Sequence, residues 1–185
     1  MASRRTKSEL IFIVGGASSG KSDVALQVAA QGMGQQAPRA FVATGEGLDE
    51  EMAMKIARHQ QARSSEWVTA EVPLQLTAWF KDQGRSYQII VVDCLTMWLS
   101  NHCERGTKER DILEEMRTLL RTIRRNGGRV VFVSNELGLG LVPAEAPSRR
   151  FRELAGELNR LVAQEADVAY FVVSGLPLPL KERTS

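Results

Sequence analysis

Five apolar residues, Leu10, Ile11, Phe12, Ile13 and Val14, run directly into Gly15, Gly16, Ala17, Ser18, Ser19, Gly20, Lys21 and Ser22. Those eight residues match G-x-x-x-x-G-K-[ST], and a helical pattern over residues 24–33 follows them. A buried strand, a glycine-rich turn and a helix in that order make a phosphate-binding P-loop and commit the chain to alternating strands and helices. Small residues let the backbone curl until successive N–H groups point at phosphate oxygens, and the helix N-terminus adds positive potential behind them. Lys21 then reaches the terminal phosphates, and the Ser22 hydroxyl is placed to hold a Mg²⁺ ion bridging them.

The rest of the chain keeps to that alternation. Gly32 and Gly34 end the first helical pattern, and residues 39–44 read as a second short strand. Its end, Ala43, Thr44 and Gly45, lies at the carboxyl edge where open α/β sheets bind ligands. Asp49 can cap a helix with Leu48, Met52 and Ile56 on one stripe. At about 100° per residue His59 falls on that stripe too, with Lys55 and Arg63 flanking it. Strand character returns over residues 66–72, Pro73 closes it, and residues 74–80 read as a short helix.

Residues 88–93 form a continuous apolar run ending in an acid, the mark of a buried parallel strand carrying a Walker B-type aspartate, Asp93. Thr107 can cap a long helix whose Ile112, Met116, Leu119, Leu120 and Ile123 recur at helical period, and Gly127 and Gly128 stop it. A further buried strand over residues 129–134 leads into NELGLGLVP, Asn135 to Pro143, which is too rich in glycine and apolar residues for a routine surface turn. Pro147 opens a helix with Phe151, Leu154, Ala155, Leu158, Leu161 and Val162 on one face. Residues 168–173 are the last clear strand, and residues 174–181 leave it as an irregular or edge segment. The expected architecture is an α/β P-loop nucleotide-binding fold, a mostly parallel sheet with helices on both faces, as one domain over residues 9–185 behind a disordered lead-in over residues 1–8.

Composition narrows the partners. With 24 basic and 22 acidic residues the net charge is +2, which does not suggest a nucleic-acid-binding protein. The leading apolar segment is too short for a signal-peptide core or a membrane span. Cys94 and Cys103 make no metal spacing and no disulfide framework, so a reduced, cytoplasmic setting is the simpler expectation. His102 has no partner pattern and reads as structural. Arg149, Arg150 and Arg152 fall near a helix start, where the macrodipole disfavours cations, so either an anion nearby or a solvated face is expected.

Together, GGASSGKS, ATGEGLDEEM, IARHQQAR with Trp67 behind it, IIVVDCLTMW, VVFVSNELGLGLVP, FRELAGELN and VVSGLPLPLK follow one another in a familiar order. The chain resembles the bifunctional adenosylcobinamide kinase/adenosylcobinamide-phosphate guanylyltransferase family of cobalamin biosynthesis, from about Leu10 to Lys181. The resemblance implies a RecA-like P-loop fold, a homotrimer, and two reactions at one nucleotide site. A nucleoside triphosphate, GTP or ATP, first phosphorylates the aminopropanol hydroxyl of adenosylcobinamide, a corrinoid. GTP then donates GMP to that phosphate through a GMP–histidine intermediate, and the family's histidine falls on His59.

The same match implies nucleotide contacts at Gly15 to Ser22, at Ala43, Thr44 and Gly45, at Gln60, Gln61, Ala62 and Arg63, and at Glu71 and Asp93. It implies catalysis by His59 and Lys21 and a Mg²⁺ ion on Ser22 and Asp93. The family usually has Arg where this chain has Ser18, and Pro where Ser64 follows Arg63. Two other readings fit the P-loop alone: a small-molecule kinase that forms no protein–nucleotide bond, and a GTP-dependent switch protein. The chain lacks the Asn-Lys-x-Asp guanine-reading motif of common switch GTPases, which weighs against the second.

Overall fold

The computed structural model describes residues 8–46 and 66–182, and there the strands join in one seven-stranded sheet. They are β1 (Glu9–Gly15), β2 (Arg39–Ala43), β3 (Trp67–Glu71), β4 (Ile89–Asp93), β5 (Arg129–Asn135), β6 (Val168–Val173) and β7 (Leu176–Lys181). Their order is β3-β2-β4-β5-β1-β6-β7, parallel throughout except for β7, which returns antiparallel along β6. Parallel neighbours need crossovers. The helices supply them: α1 (Lys21–Ala30), α2 (Leu76–Asp82), α3 (Leu95–Glu104), α4 (Glu109–Asn126) and α5 (Ala146–Glu165).

Alternation along each strand feeds two apolar layers. Ile11, Ile13, Phe41, Val91, Val131 and Val133 face one way and pack with Val24, Ala25 and Ala29 of α1. Phe12, Val42, Val92 and Phe132 face the other, where Trp98, Met116, Leu119 and Leu158 bring in α3, α4 and α5. Each such side chain taken out of water contributes about 1.5–3 kcal/mol, so the two layers set the position of everything at the sheet's carboxyl edge.

Local structure differs from the sequence reading at element ends. Helix α1 starts at Lys21, since Gly20 at φ 85° turns the chain straight into it, and it stops at Ala30, where Gln31 is extended and Gly32 sits at φ 71°. Thr107 is not the cap of α4; Lys108 holds that position, and Thr107 bonds the buried His102 ring instead, at 3.3 Å from Nδ1. His102 lies edge-on against Trp98, as a structural residue would. Within the 174–181 segment, Ser174 and Gly175 form a turn and Leu176–Lys181 is the edge strand β7, exposed along its length.

The arginines near the α5 start hold their own loop. Arg149 donates to the carbonyls of Pro143 and Ala144, and Arg152 donates to those of Gly138 and Leu141, while Arg150 pairs with Glu109. Backbone carbonyls thus meet Arg149 and Arg152, while Arg150 lies on an exposed face beside the Glu109 carboxylate. Only Arg149 falls in the first turn of the helix.

Asn101 ties the carboxyl ends of two neighbouring strands, β2 and β3, to α3. Its side-chain Nδ2 donates to the carbonyls of Thr44, at 2.8 Å, and Pro73, at 2.9 Å, from a fully buried position. Asn101→Leu removes both donors and keeps the volume, so it is expected to lower unfolding stability by about 2–3 kcal/mol in urea titrations. A loss under about 0.5 kcal/mol would show that the carbonyls find other partners.

Candidate functional site

The P-loop closes on itself through its lysine. Lys21 is the first residue of α1 and only 9% exposed, and its Nζ donates to the carbonyl of Gly16 at 2.8 Å. Ser18 at φ 55° and Gly20 at φ 85° give the left-handed turns that fold the cradle. At Gly15 a Cβ would come within 2.6 Å of the Val172 carbonyl and 2.8 Å of Ser19 Oγ, so only glycine fits between β1 and β6. Among the described residues the Ser19 hydroxyl is buried without a partner, beside Gly15 of the cradle.

The turn between β6 and β7 supports the loop from outside. Ser174 and Gly175 both take positive φ, and the Gly175 N–H donates to the Ser19 carbonyl at 2.7 Å. A Cβ on Gly20 would lie 3.1 Å from Gly175 Cα.

Asp93 completes the charge pattern. It ends β4 on the face that carries α1, because Ile89 and Val91, four and two residues earlier, pack there. Burial pushes the Lys21 ammonium below its ordinary 10.5, while Cys94 and Asp93 pull it back up. Burial also pushes the Cys94 thiol up to about 12, so at neutral pH it is uncharged and Asp93 is the partner that counts.

In-register pairing extends the edge. Ala43 stands level with Asp93 on one side and with Glu71 on the other, so Glu71, Ala43 and Asp93 form one row across β3, β2 and β4. Glu71 lies four strands from β1, about 19 Å at roughly 4.8 Å per strand, beside a hollow of about 480 Å³ lined by Val72, Pro73, Leu74, Ala78 and Trp79. The structure therefore gathers Gly15 to Ser22 and Asp93 at the centre and sets Glu71 at the rim.

Thr44 turns inward. Its N–H donates to the Asp93 carbonyl, its hydroxyl lies between the Cys94 N–H and carbonyl, and its own carbonyl takes the Asn101 amide. Thr44 fixes where Asp93 sits, and Ala43 and Gly45 flank it. His59, Gln60, Gln61, Ala62 and Arg63, with Lys55, lie outside the described residues.

Sequence reasoning missed the residues that brace this edge. Thr96, whose hydroxyl accepts the Asn135 N–H at 2.8 Å, and Gly175 are two of them. The one sequence signal was the Ser-Gly pair ending the last apolar strand, which marks a turn.

The family described as cobinamide kinase / cobinamide phosphate guanyltransferase matches residues 11–180. The chain belongs to that family. Membership makes it an enzyme of adenosylcobalamin biosynthesis, in the class that its motifs resemble. A relative in Pseudomonas aeruginosa, the bifunctional adenosylcobalamin biosynthesis protein CobP, is 39% identical over 170 residues, spanning 92% of this chain and 96% of that one. The corresponding protein CobU of Salmonella typhimurium is 32% identical over 184 residues, spanning 93% and 99%. That of Escherichia coli is 30% identical over 184 residues.

Solved structures agree on the fold of this cobinamide kinase/guanyltransferase family member. The flagellar accessory protein FlaH from Methanocaldococcus jannaschii superposes with a TM-score of 0.57 at 13% identity, over 98% of this chain and 82% of that one. A KaiC-like protein from Pyrococcus horikoshii gives 0.51 at 15% identity, over 91% and 80%. Among the described residues no helix is long and apolar enough to cross a membrane.

Proposed function

We propose that the chain phosphorylates the aminopropanol hydroxyl of adenosylcobinamide and then transfers GMP from GTP to the resulting phosphate through His59. Lys21 carries this reading: a buried ammonium, held over the glycine cradle and answered by Asp93, in a chain that the family matches over residues 11–180. Cradle and lysine neutralise a triphosphate without reorganising, which is most of what phosphoryl transfer asks of a protein.

In the second reaction an imidazole nitrogen of His59 bonds to the α-phosphorus as the bond to the β-phosphate oxygen breaks, and pyrophosphate leaves with the electron pair. A phosphate oxygen of adenosylcobinamide phosphate then attacks the same phosphorus, the P–N bond breaks, and the imidazole is restored. Two easier displacements replace one difficult transfer. Lys55 and Arg63, four residues to either side of His59 in the sequence, would disfavour imidazolium and attract the triphosphate if they stand beside it.

Ser22 and Asp93 offer oxygen ligands suited to Mg²⁺, and both are partly buried beside the cradle. Among the described residues no group of three or more His, Cys, Asp or Glu could hold a metal ion. Bound there, Mg²⁺ would neutralise charge on the phosphates. The same reading takes the protein as a cytoplasmic homotrimer, a setting in which Cys94 and Cys103 stay as thiols.

GTP labelled at the α- or the γ-phosphate tests the covalent step. After incubation and denaturation, α-label is expected on the protein, with a GMP-sized increase in intact mass that maps to His59. Turnover of adenosylcobinamide with no retained α-label would leave a P-loop kinase without covalent chemistry, and nucleotide hydrolysis alone would leave a switch protein.

A further inference from the structure

The strand between the cradle and the acid ends in a residue that neither reaction above has used. Strand β5 is hydrogen-bonded to β1 on one side and to β4 on the other, and its last residue, Asn135, stands level with Gly15, the first residue of the P-loop. Val131 and Val133 pack on the α1 face, so alternation puts Asn135 on that same face, the one that carries Lys21 and Asp93. Asp93 is in register with Val133, one step earlier on that face. Asn135 thus reaches past Asp93, toward where a terminal phosphate would leave the cradle.

Its backbone is clamped on both sides. The N–H donates to Thr96 Oγ1 at 2.8 Å, and the carbonyl accepts from Asn159 Nδ2 at 3.0 Å. The next residue, Glu136, donates its N–H to the Gly15 carbonyl at 2.9 Å, which fixes the strand end to the cradle. Among the described residues the Asn135 carboxamide makes no hydrogen bond and is only partly buried. A rigid main chain presenting an amide with no partner among the described residues, at a site of developing negative charge, is what preorganised electrostatic stabilisation requires.

We propose that Asn135 is a catalytic residue of the phosphoryl-transfer step, its Nδ2–H donating to an oxygen of the γ-phosphoryl group and holding that group in line with the acceptor hydroxyl. The hydroxyl oxygen bonds to the γ-phosphorus as the bond to the β,γ-bridging oxygen breaks. The nucleoside diphosphate leaves with the electron pair, and the hydroxyl proton passes to water. The inference rests on the function proposed above and adds to it a residue on the acceptor side of the cradle. Thr96 is a positioning residue for Asn135, because its hydroxyl anchors the strand end.

Steady-state kinase kinetics with adenosylcobinamide, beside equilibrium dialysis of labelled GTP, test it. Asn135→Ala is expected to lower kcat about 100-fold with the nucleotide Kd changed less than about threefold, and Asn135→Ser to recover part of the loss. Thr96→Val, which leaves the amide in place but frees its backbone, is expected to lose less, again in kcat. A kcat within about threefold of wild type in both Asn135 variants would overturn the proposal, as would a Kd that weakens in step with kcat. If the wild-type protein does not phosphorylate adenosylcobinamide, the proposed function fails, and Asn135 is then judged on slow hydrolysis of the γ-phosphate by water. Asn135→Ala should slow that hydrolysis by a similar factor; an unchanged rate would sink the inference.

Discussion

His59→Ala is expected to abolish guanylyl transfer, by roughly 10⁴-fold or more, while phosphorylation of adenosylcobinamide stays within about threefold of wild type. The asymmetry follows from the bonds made. In nucleotidyl transfer as proposed, the imidazole would be bonded to phosphorus, and its loss would remove the nucleophile itself. In phosphoryl transfer as proposed, the acceptor hydroxyl would attack directly, with the cradle, Lys21 and Asp93 supplying orientation and charge. Parallel assays of phosphate and GMP incorporation into the corrinoid, with intact mass after GTP, separate the two. Retained GMP transfer in His59→Ala would remove the covalent intermediate, and equal loss of both activities would make His59 a binding residue.

Lys21→Ala is expected to lower kcat/KM for both reactions by about 10²–10³-fold, because both draw on one charge in one cradle. Lys21→Arg should not restore activity: a forked guanidinium does not fit where Nζ meets the Gly16 carbonyl at 2.8 Å. A melting temperature near that of wild type would place the loss in chemistry and binding. The lysine also predicts a pH dependence. Burial lowers its folded pKa below 10.5, so in the free enzyme the ammonium is lost earlier on the alkaline side than an exposed lysine would lose it. Accordingly, kcat/KM should fall at a pH below 10.5 as pH rises, and a limb that persists in Lys21→Ala would assign it elsewhere.

The parts legible in the sequence were those set by near neighbours. Gly15 to Ser22, the run into Asp93 and the period of Ile112, Met116 and Leu119 are each contained in a few turns or one strand, and the structure builds a cradle, a strand and a helix from them. Strand order was not legible, since it depends on which crossovers pack together. Nor were the ties of Thr44 to Cys94 and Asn101, which join residues 50 and 57 apart by single hydrogen bonds that leave no periodic trace. By position Thr44 reads as a residue of the ligand-binding carboxyl edge, and its burial as a lock becomes visible only once Cys94 and Asn101 are placed.

The arginines show the opposite failure. Cations at a helix start suggested either an anion nearby or a solvated face, because the macrodipole argument treats the helix alone. The loop from Gly138 to Ala144 folds back over that helix start, and its carbonyls meet the guanidinium groups first. Its apolar tip remains outside, with Leu141 at 96% exposure.

The Ser174–Gly175 turn has a bearing on how small a working version of this protein can be made. A shortened chain ending after β5 would keep every letter of the phosphate signature, yet the Ser19 carbonyl would lose its bracket and Gly20 its outer wall. The minimal unit that grips a triphosphate is therefore wider than the signature that announces it, and truncation series should be designed around the closing hairpin.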